Sequence, residues 1–414
     1  MTAPSYQINA SPQPEVRPTC IGPGAHNYPP PKIPLLPVLT YGGLGSEKAN
    51  NPSLADIPHI LTSAGRAAIV LALQHAGITE GDEVLVPAYH CESMIAPVEH
   101  VGATPVFYSV HANTQIDMLD VERKVTSATR AVLATHYFGF PQRVCDLRTL
   151  CDKHQLILIE DCAHAFFGAP NGRPIGTVGD YAIGSAMKFF PLFDGGLLAS
   201  SSRDLASIEQ FRASIALELK GLVSVIEYAM RYGRLRLISL PLRITIAVKD
   251  LLWGIAKKTM RGRVGDNLAP PSSEGGYALD PYWIDARMSR VSEFILSYSR
   301  VDRICERRRT NYCRIVEALD GVPGMRPLFD QLPEGVVPLV IPMTITDPAT
   351  LFPTLKNLGV PIWRFGEYLY PQISEHVCEN SVYLSKHVFQ FPCHPELTDK
   401  EIDWMVETIK SHAA

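Results

Sequence analysis

Long apolar runs, a cysteine framework and a strong charge imbalance are all missing from this sequence, and each absence removes a class of protein. None of its apolar stretches reaches the roughly 20 uninterrupted residues that a membrane-spanning helix needs. The nine cysteines are odd in number and scattered, without CxxC pairs or metal-ligand spacing. That argues against a disulfide frame or a structural zinc site and for a reducing compartment. A net charge of −4 gives no general attraction to nucleic acid. Met1 to Pro18 is polar and proline-rich, without the basic start and apolar segment of a secretion signal. The expectation is a cytoplasmic protein. No internal repeat is evident. What remains is an ordinary globular chain of 414 residues, 46% apolar and of mean hydropathy +0.04, long enough for two domains with ample core.

The stretch from Gln155 to Gly196 carries most of the chemistry. Gln155 to Ile159 is almost wholly apolar, as a parallel strand buried on both faces requires, and it ends in Glu160 and Asp161. Ligands of open α/β sheets sit beyond the carboxyl ends of strands, so an acid there points at a crevice. A second apolar run, Tyr181 to Ile183, leads to Ser185 and to Lys188, set among Met187, Phe189 and Phe190. A lysine in apolar company loses solvation, which lowers its pKa and exposes a nucleophilic amine. A strand-end aspartate with such a lysine is what pyridoxal 5'-phosphate (PLP) needs. The acid keeps the pyridine nitrogen protonated, and the amine holds the aldehyde.

Strands alternate with helices elsewhere, which predicts βα units and a mainly parallel sheet. The pattern gives helices over Arg66–His75, Ser93–Val101 and Asp146–His154, and strands over Glu83–Val86, Thr104–Tyr108 and Ala131–Thr135. The small residues before Arg66 let backbone N–H groups approach a phosphate at a helix start, so Gly65, Arg66 and the hydroxyl of Ser185 are candidate phosphate ligands. His136 and His164 each follow a predicted strand and are candidates to flank the ring or its hydroxyl.

The segments SAGRAAI (63–69), GDEVLVPAY (81–89), THYFGFP (135–141), IEDCAHA (159–165) and SAMKFFPLFDGG (185–196) resemble the DegT-type (DegT/DnrJ/EryC/StrS) aminotransferases, with agreement resuming at 285–296 and 391–409. The resemblance implies an α/β, fold-type-I PLP-dependent transferase with a large domain around a mainly parallel mixed sheet and a smaller C-terminal α/β domain. It further implies an aminotransferase that moves an amino group to a keto acceptor, such as a nucleotide-linked keto sugar in amino sugar biosynthesis. Lys188 would carry the cofactor and shuttle the proton, and Asp161 would pair with the pyridinium. Gly65, Arg66 and Ser185 would hold the phosphate, with His164 near the ring hydroxyl. It implies a homodimer with shared active sites, with Asp194 to Gly196 and the loop before Arg287 serving the neighbouring subunit. Three departures bear on substrate. The Ser185–Lys188 spacing is two residues short of the common sugar aminotransferases. Cys91 stands where an aromatic often stacks on the ring, so that either Tyr89 replaces it or the stack is lost. Asp285 stands where an Asn usually reaches the partner. Lys188 itself argues against the related sugar dehydratases, which have His there. Two rivals stay open: another PLP reaction on an amino acid, elimination or decarboxylation, and an inactive membrane-associated relative.

The domain reading is a proline-rich arm over 1–55, a large domain over 56–275 with a basic helical insert at about 205–265, and a small domain over 276–414. From Lys220 to Arg263 ten Lys/Arg face two acids, a charge asymmetry that suits a solvated insert face, peripheral contact with an anionic membrane, or a tunnel wall for a polyanionic substrate. In the last part, Tyr282–Leu319 reads as a long helix broken once, with Arg307, Arg308 and Arg309 on its exposed side. Val336–Thr346 reads as a strand, Ala349–Leu358 as a helix, and Trp363–Tyr370 as a strand or loop facing the site. Thr398 is the expected cap of the last helix. Arg364 is a candidate for gripping a substrate carboxylate.

Overall fold

The computed structural model describes residues 28–236, 270, 273, 278–364 and 369–413. Strands β1 (His59–Thr62), β2 (Glu83–Pro87), β3 (Thr104–Tyr108), β4 (Thr129–Thr135), β5 (Ile157–Asp161), β6 (Tyr181–Ser185) and β7 (Gly196–Ala199) form one sheet in the order β1-β7-β6-β5-β4-β2-β3. The neighbours from β6 to β3 run parallel, and β7 is antiparallel to both β6 and β1. The mixed, mainly parallel sheet expected from the βα pattern is therefore present. Its β1 edge, only four residues long, was not legible as a strand.

Helices α1 (Gly65–His75), α2 (Glu92–His100), α3 (Met118–Lys124) and α4 (Val144–His154) link these strands. In α1 the run Ala67 to Leu73 is buried without a break, because the helix packs on β6, β7 and α2 at once. A helix apolar all round is one enclosed all round. After β7 come the short strand β8 (Phe211–Arg212) and α5 (Ile215–Arg231), then β9 (Ala286–Arg287), α6 (Arg290–Tyr298) and α7 (Val301–Ala318).

The C-terminal part is a four-stranded antiparallel sheet, β10 (Met325–Pro327), β11 (Val340–Ile345), β12 (Trp363–Arg364) and β13 (Val388–Pro392), in the order β10-β11-β13-β12. Helices α8 (Pro348–Asn357), α9 (Glu375–His387) and α10 (Asp399–His412) accompany it. One core joins the two sheets, with Val132 of β4 and Phe391 of β13 in the same buried cluster. The cap of α10 is as expected: the Thr398 side chain accepts from Glu401 N–H, and Glu401 answers at the backbone of Thr398.

Several expectations are corrected. The long helix starts at Arg290, not Tyr282, and its break at Ser299–Arg300 separates α6 from α7. Arg308 is wholly buried rather than exposed, while Arg307 and Arg309 are half-buried. Three consecutive residues span about 200° around a helix, so they cannot share one solvent face. The strand read over Val336–Thr346 begins only at Val340. Of the stretch Trp363–Tyr370, residues 365–368 lie outside those described, as does the insert beyond 236. The described start of that insert, α5, turns Leu217, Gly221, Val225 and Ala229 inward. Of the arm, the described part begins at residue 28, and its Ile33 and Val38 are buried against the body. It is tied there by Lys32 N–H to the Gly359 carbonyl (2.9 Å) and by His394 Nε2 to the Pro34 carbonyl (3.0 Å).

Candidate active site

The carboxyl ends of β2, β5 and β6 and the start of α1 open on a cavity of about 560 Å³, lined by Gly65, Arg66, His90, Cys91, Asp161, His164, Ser185 and Lys188 among others. α1 begins after an extended Ala64 with no side chain capping its first turn. The N-cap side chain leaves that turn uncapped, and the helix dipole there favours an anion. Two glycines bring this turn against the strands. Gly195 has φ +138°, and a Cβ on Gly196 would lie 2.3 Å from the Ala64 carbonyl carbon, so the start of β7 must be bare for α1 to seat. Arg66 and Ser185 line the same end, with Arg66 Nη1 held by the Ala278 carbonyl at 2.5 Å.

At the end of β5, Asp161 is buried, and its Oδ1 accepts from Ala163 N–H at 2.9 Å. Its Oδ2 lies 3.4 Å from His90 Nε2. Burial pushes the Asp161 carboxyl up, but the His90 bond and charge, with Lys188 and Ala163, outweigh it and hold the pKa below the usual range. Burial pulls the His90 ring down, yet Asp161 and Cys91 outweigh it and raise it to about 9. Nε2 faces Asp161, while Nδ1 accepts from Cys91 N–H at 2.9 Å and lies 3.1 Å from the Cys91 carbonyl. Cys91, whose Sγ is 3.0 Å from Ser93 Oγ, is raised by burial but brought down to about 7 by His90 and Ser93. The Lys188 amine is depressed by burial, which outweighs the pull of Asp161. His164 is held well below its ordinary value by burial and by the charges of Lys188 and His90, so its ring is neutral; it stacks on Phe138 with centroids 6.0 Å apart.

Two expected site residues lie elsewhere. Tyr89 does not line the cavity; it is buried with its ring 5.2 Å from that of Tyr137. Cys91, the residue that precedes α2, lines the cavity instead. His136 does not line the cavity either. Its Nδ1 accepts from Gln142 N–H (3.0 Å), which leaves Nε2 to donate to Glu160 Oε2 (2.9 Å). His136, Glu160 and Cys162 come within 4.8 Å of one another. Their polar atoms are already engaged, however: Glu160 Oε1 also accepts from Val178 N–H (2.7 Å) and Gly179 N–H (2.6 Å), and burial keeps the Cys162 thiol protonated. This is a hydrogen-bond network under the site.

Burial pushes Glu160 up, but His136 and the two N–H groups hold it below the ordinary range. Its stabilising share is thus fully present above the unfolded-state value of about 4.3 and is lost as pH falls through the depressed folded value. Glu160→Ala is expected to cost about 3–5 kcal/mol at pH 7 by stranding its buried partners. Urea unfolding should show that gap, and the gap should shrink as pH is lowered below 4.

Sequence reading missed His90 and Arg308. Arg308, on α7, reaches the cavity wall and has no carboxylate partner among the described residues. Its Nη1 donates to the Leu339 carbonyl (2.7 Å) and its Nη2 to that of Lys188 (3.2 Å), while the guanidinium lies 4.8 Å from the Phe189 ring centroid. It thereby clamps the turn that carries Lys188. The tyrosine–histidine–cysteine run at 89–91 was the available signal for His90. Nothing local marked Arg308. Arg364, on β12, is buried and pairs in register with Phe389 of β13; it lines the same cavity, as does Gln390.

A buried acid at the end of β5, a lysine in the turn between β6 and its antiparallel neighbour β7, and an uncapped helix start define a large domain of the fold-type-I class. Solved structures agree. Streptomyces venezuelae DesV superposes with a TM-score of 0.57 at 20% identity, covering 86% of this chain and 84% of that one. The aminotransferase TlmJ from Streptoalloteichus hindustanus gives 0.59 at 19% identity, covering 90% and 92%. Residues 57–233 match the DegT/DnrJ/EryC1/StrS aminotransferase family. Among curated relatives, GDP-perosamine synthase of Vibrio cholerae is 39% identical over 150 residues, 35% of this chain and 41% of that protein. A UDP-N-acetyl-3-dehydro-alpha-D-glucosamine 3-aminotransferase of Acidithiobacillus ferrooxidans is 32% identical over 166 residues, 38% and 44% of the two chains. The chain thus spans about two fifths of the length of the relatives it matches.

Proposed function

We propose that this protein is a PLP-dependent aminotransferase that moves an amino group from an amino acid donor to a keto acceptor, a keto sugar or a related biosynthetic intermediate. The observation that carries the reading is the meeting, in one cavity, of Lys188, Asp161 and the uncapped first turn of α1. These residues suit the cofactor at each of its ends. The first turn of α1 with Arg66 and Ser185 would take the phosphate, Asp161 the ring nitrogen and Lys188 the aldehyde. Neutral His164 would sit near the ring hydroxyl. When bound, PLP supplies a sink for the electron pair left as the substrate's Cα–H bond breaks.

The chain's residues do the rest. Asp161, kept ionised by His90, holds the proton on the ring nitrogen. The Lys188 amine, depressed by burial, is the group that would take the Cα proton and return it at C4′ of the cofactor. Arg308 fixes the turn from which it does so. Buried Arg364 is the candidate for the donor's carboxylate. Relatives named for GDP-, UDP- and dTDP-linked sugars support the acceptor class. Single turnover with glutamate should release pyridoxamine phosphate on denaturation. Finding none with any donor in an amino acid panel would favour elimination or decarboxylation instead.

A homodimer belongs to the same reading, supported by the exposed Tyr282, Phe294 and Tyr298 around α6. Asp194 is not available to a partner: it is buried and accepts from Ser289 Oγ (2.5 Å) and Ser292 Oγ (2.6 Å) of its own chain. Sedimentation at a single chain's mass would remove the dimer. No described helix is long and apolar enough to cross a membrane. Peripheral contact through 220–263 falls mostly on residues outside those described.

A further inference from the structure

The C-terminal sheet gives the cavity one face of its own. Trp363 of β12 and Gln390 of β13 stand directly opposite each other on antiparallel strands, so their side chains leave the same face of the sheet. Both line the cavity. Val340 of β11 lines it too, and it pairs with Pro392, two residues on from Gln390, which puts it on that same face. Phe389 and Phe391, on either side of Gln390, point the other way, into the core.

Gln390 is the informative member. It is only 5% exposed, yet among the described residues its side-chain amide has no hydrogen-bond partner. Buried polar side chains are nearly always paired within the protein, because leaving one unpaired costs free energy. An amide on a cavity wall that forgoes partners from its own chain is placed to meet a ligand. Trp363 beside it is 37% exposed, and its ring stacks on no other ring among the described residues. The pair therefore offers a flat, electron-rich face next to a group that both donates and accepts. A saturated ring carrying hydroxyls matches it on both counts. Its C–H hydrogens complement the negative face of the indole, and a hydroxyl, itself donor and acceptor, fits the amide.

We infer that Trp363 and Gln390 determine acceptor specificity: the indole stacks on the C–H face of the acceptor's ring, and the amide bonds to a hydroxyl on a carbon that does not react. The inference rests on the aminotransferase reading for the keto group and assigns the residues that would recognise the rest of the ring.

The test titrates the PLP-loaded protein with primary amines and follows the cofactor's visible absorbance. The probes are glucosamine, galactosamine and kanosamine, which carry ring hydroxyls, and cyclohexylamine, which carries none. Each amine's affinity is compared between the wild type and a variant, which cancels differences in amine basicity. Gln390→Met keeps the side-chain length without the amide. It is expected to weaken at least one amino sugar about tenfold and to leave cyclohexylamine unchanged. Trp363→Ala should weaken all the ring amines that bind by about tenfold, and Trp363→Phe should restore most of the loss. Gln390→Met should also melt no lower than the wild type, since the amide it removes has no described partner. Equal affinity of Gln390→Met for every amino sugar, an equal loss for cyclohexylamine, or indifference to Trp363→Ala would overturn the assignment. Trp363 is half-exposed, so its variants decide the matter if Gln390→Met does not fold. A protein that takes no PLP at Lys188 would instead overturn the aminotransferase reading, and the absorbance before any amine is added separates the two failures.

Discussion

Lys188→Ala is expected to abolish the visible absorbance change on adding PLP and to lower transamination by about three orders of magnitude or more, since one side chain both holds the aldehyde and moves the proton. The fold should survive. The turn is held through the Lys188 backbone carbonyl, which still accepts from Arg308 Nη2, and through Phe189 under the same guanidinium. The amine itself is disfavoured by burial, so the unloaded variant should melt no lower than the wild type. A lysine with a structural role would give the reverse: retained absorbance and a lowered melting temperature.

Asp161 carries the second large effect. Asp161→Ala should reduce turnover by a comparable factor and also destabilise the unloaded protein by up to about 3–5 kcal/mol, because it removes one partner of a buried charged pair. Asp161→Asn keeps the volume and loses the charge, so its activity should fall as far while its stability falls less. His90 gives this pair a pH signature. Its folded pKa, about 9, exceeds the unfolded value of about 6.5. The stabilisation it brings is therefore fully present below 6.5 and lost as pH rises through 9. The stability gap between the wild type and His90→Gln should narrow over that window. Asp161, depressed in the fold, adds the opposite limb, losing its share as pH falls through its folded value. Denaturant melts of the three variants across pH 4 to 10 read both limbs.

Much of this site was legible because its residues sit at ends of elements with strong local signals. β3 was read at its observed bounds, β5 and β6 were marked by apolar runs that end at Asp161 and Ser185, Lys188 lies in the next turn, and Gly65 and Arg66 open α1. What escaped depends on contacts between distant segments. His90 meets Asp161 across 71 positions of sequence, and Arg308 reaches the Lys188 carbonyl across 120. Neither pairing leaves a local pattern. Tyr89 and Cys91 were weighed as rivals for one place, and only the course of the chain beyond Pro87 puts the thiol in the cavity and the phenol behind it. His136 was misplaced for a related reason. It follows β4 as expected, but the nearest acceptor at the end of the neighbouring β5 is Glu160. The β1 edge is four residues and shows no clear alternation, too little for periodicity to register.

The account turns on a single bond between Lys188 Nζ and the aldehyde carbon of PLP. Borohydride reduction of the PLP-loaded protein, followed by proteolysis and peptide mass mapping, locates that bond directly. The account predicts one stable adduct, on Lys188 within SAMKFFPLFDGG. An adduct on any other lysine, or none at all, would contradict it.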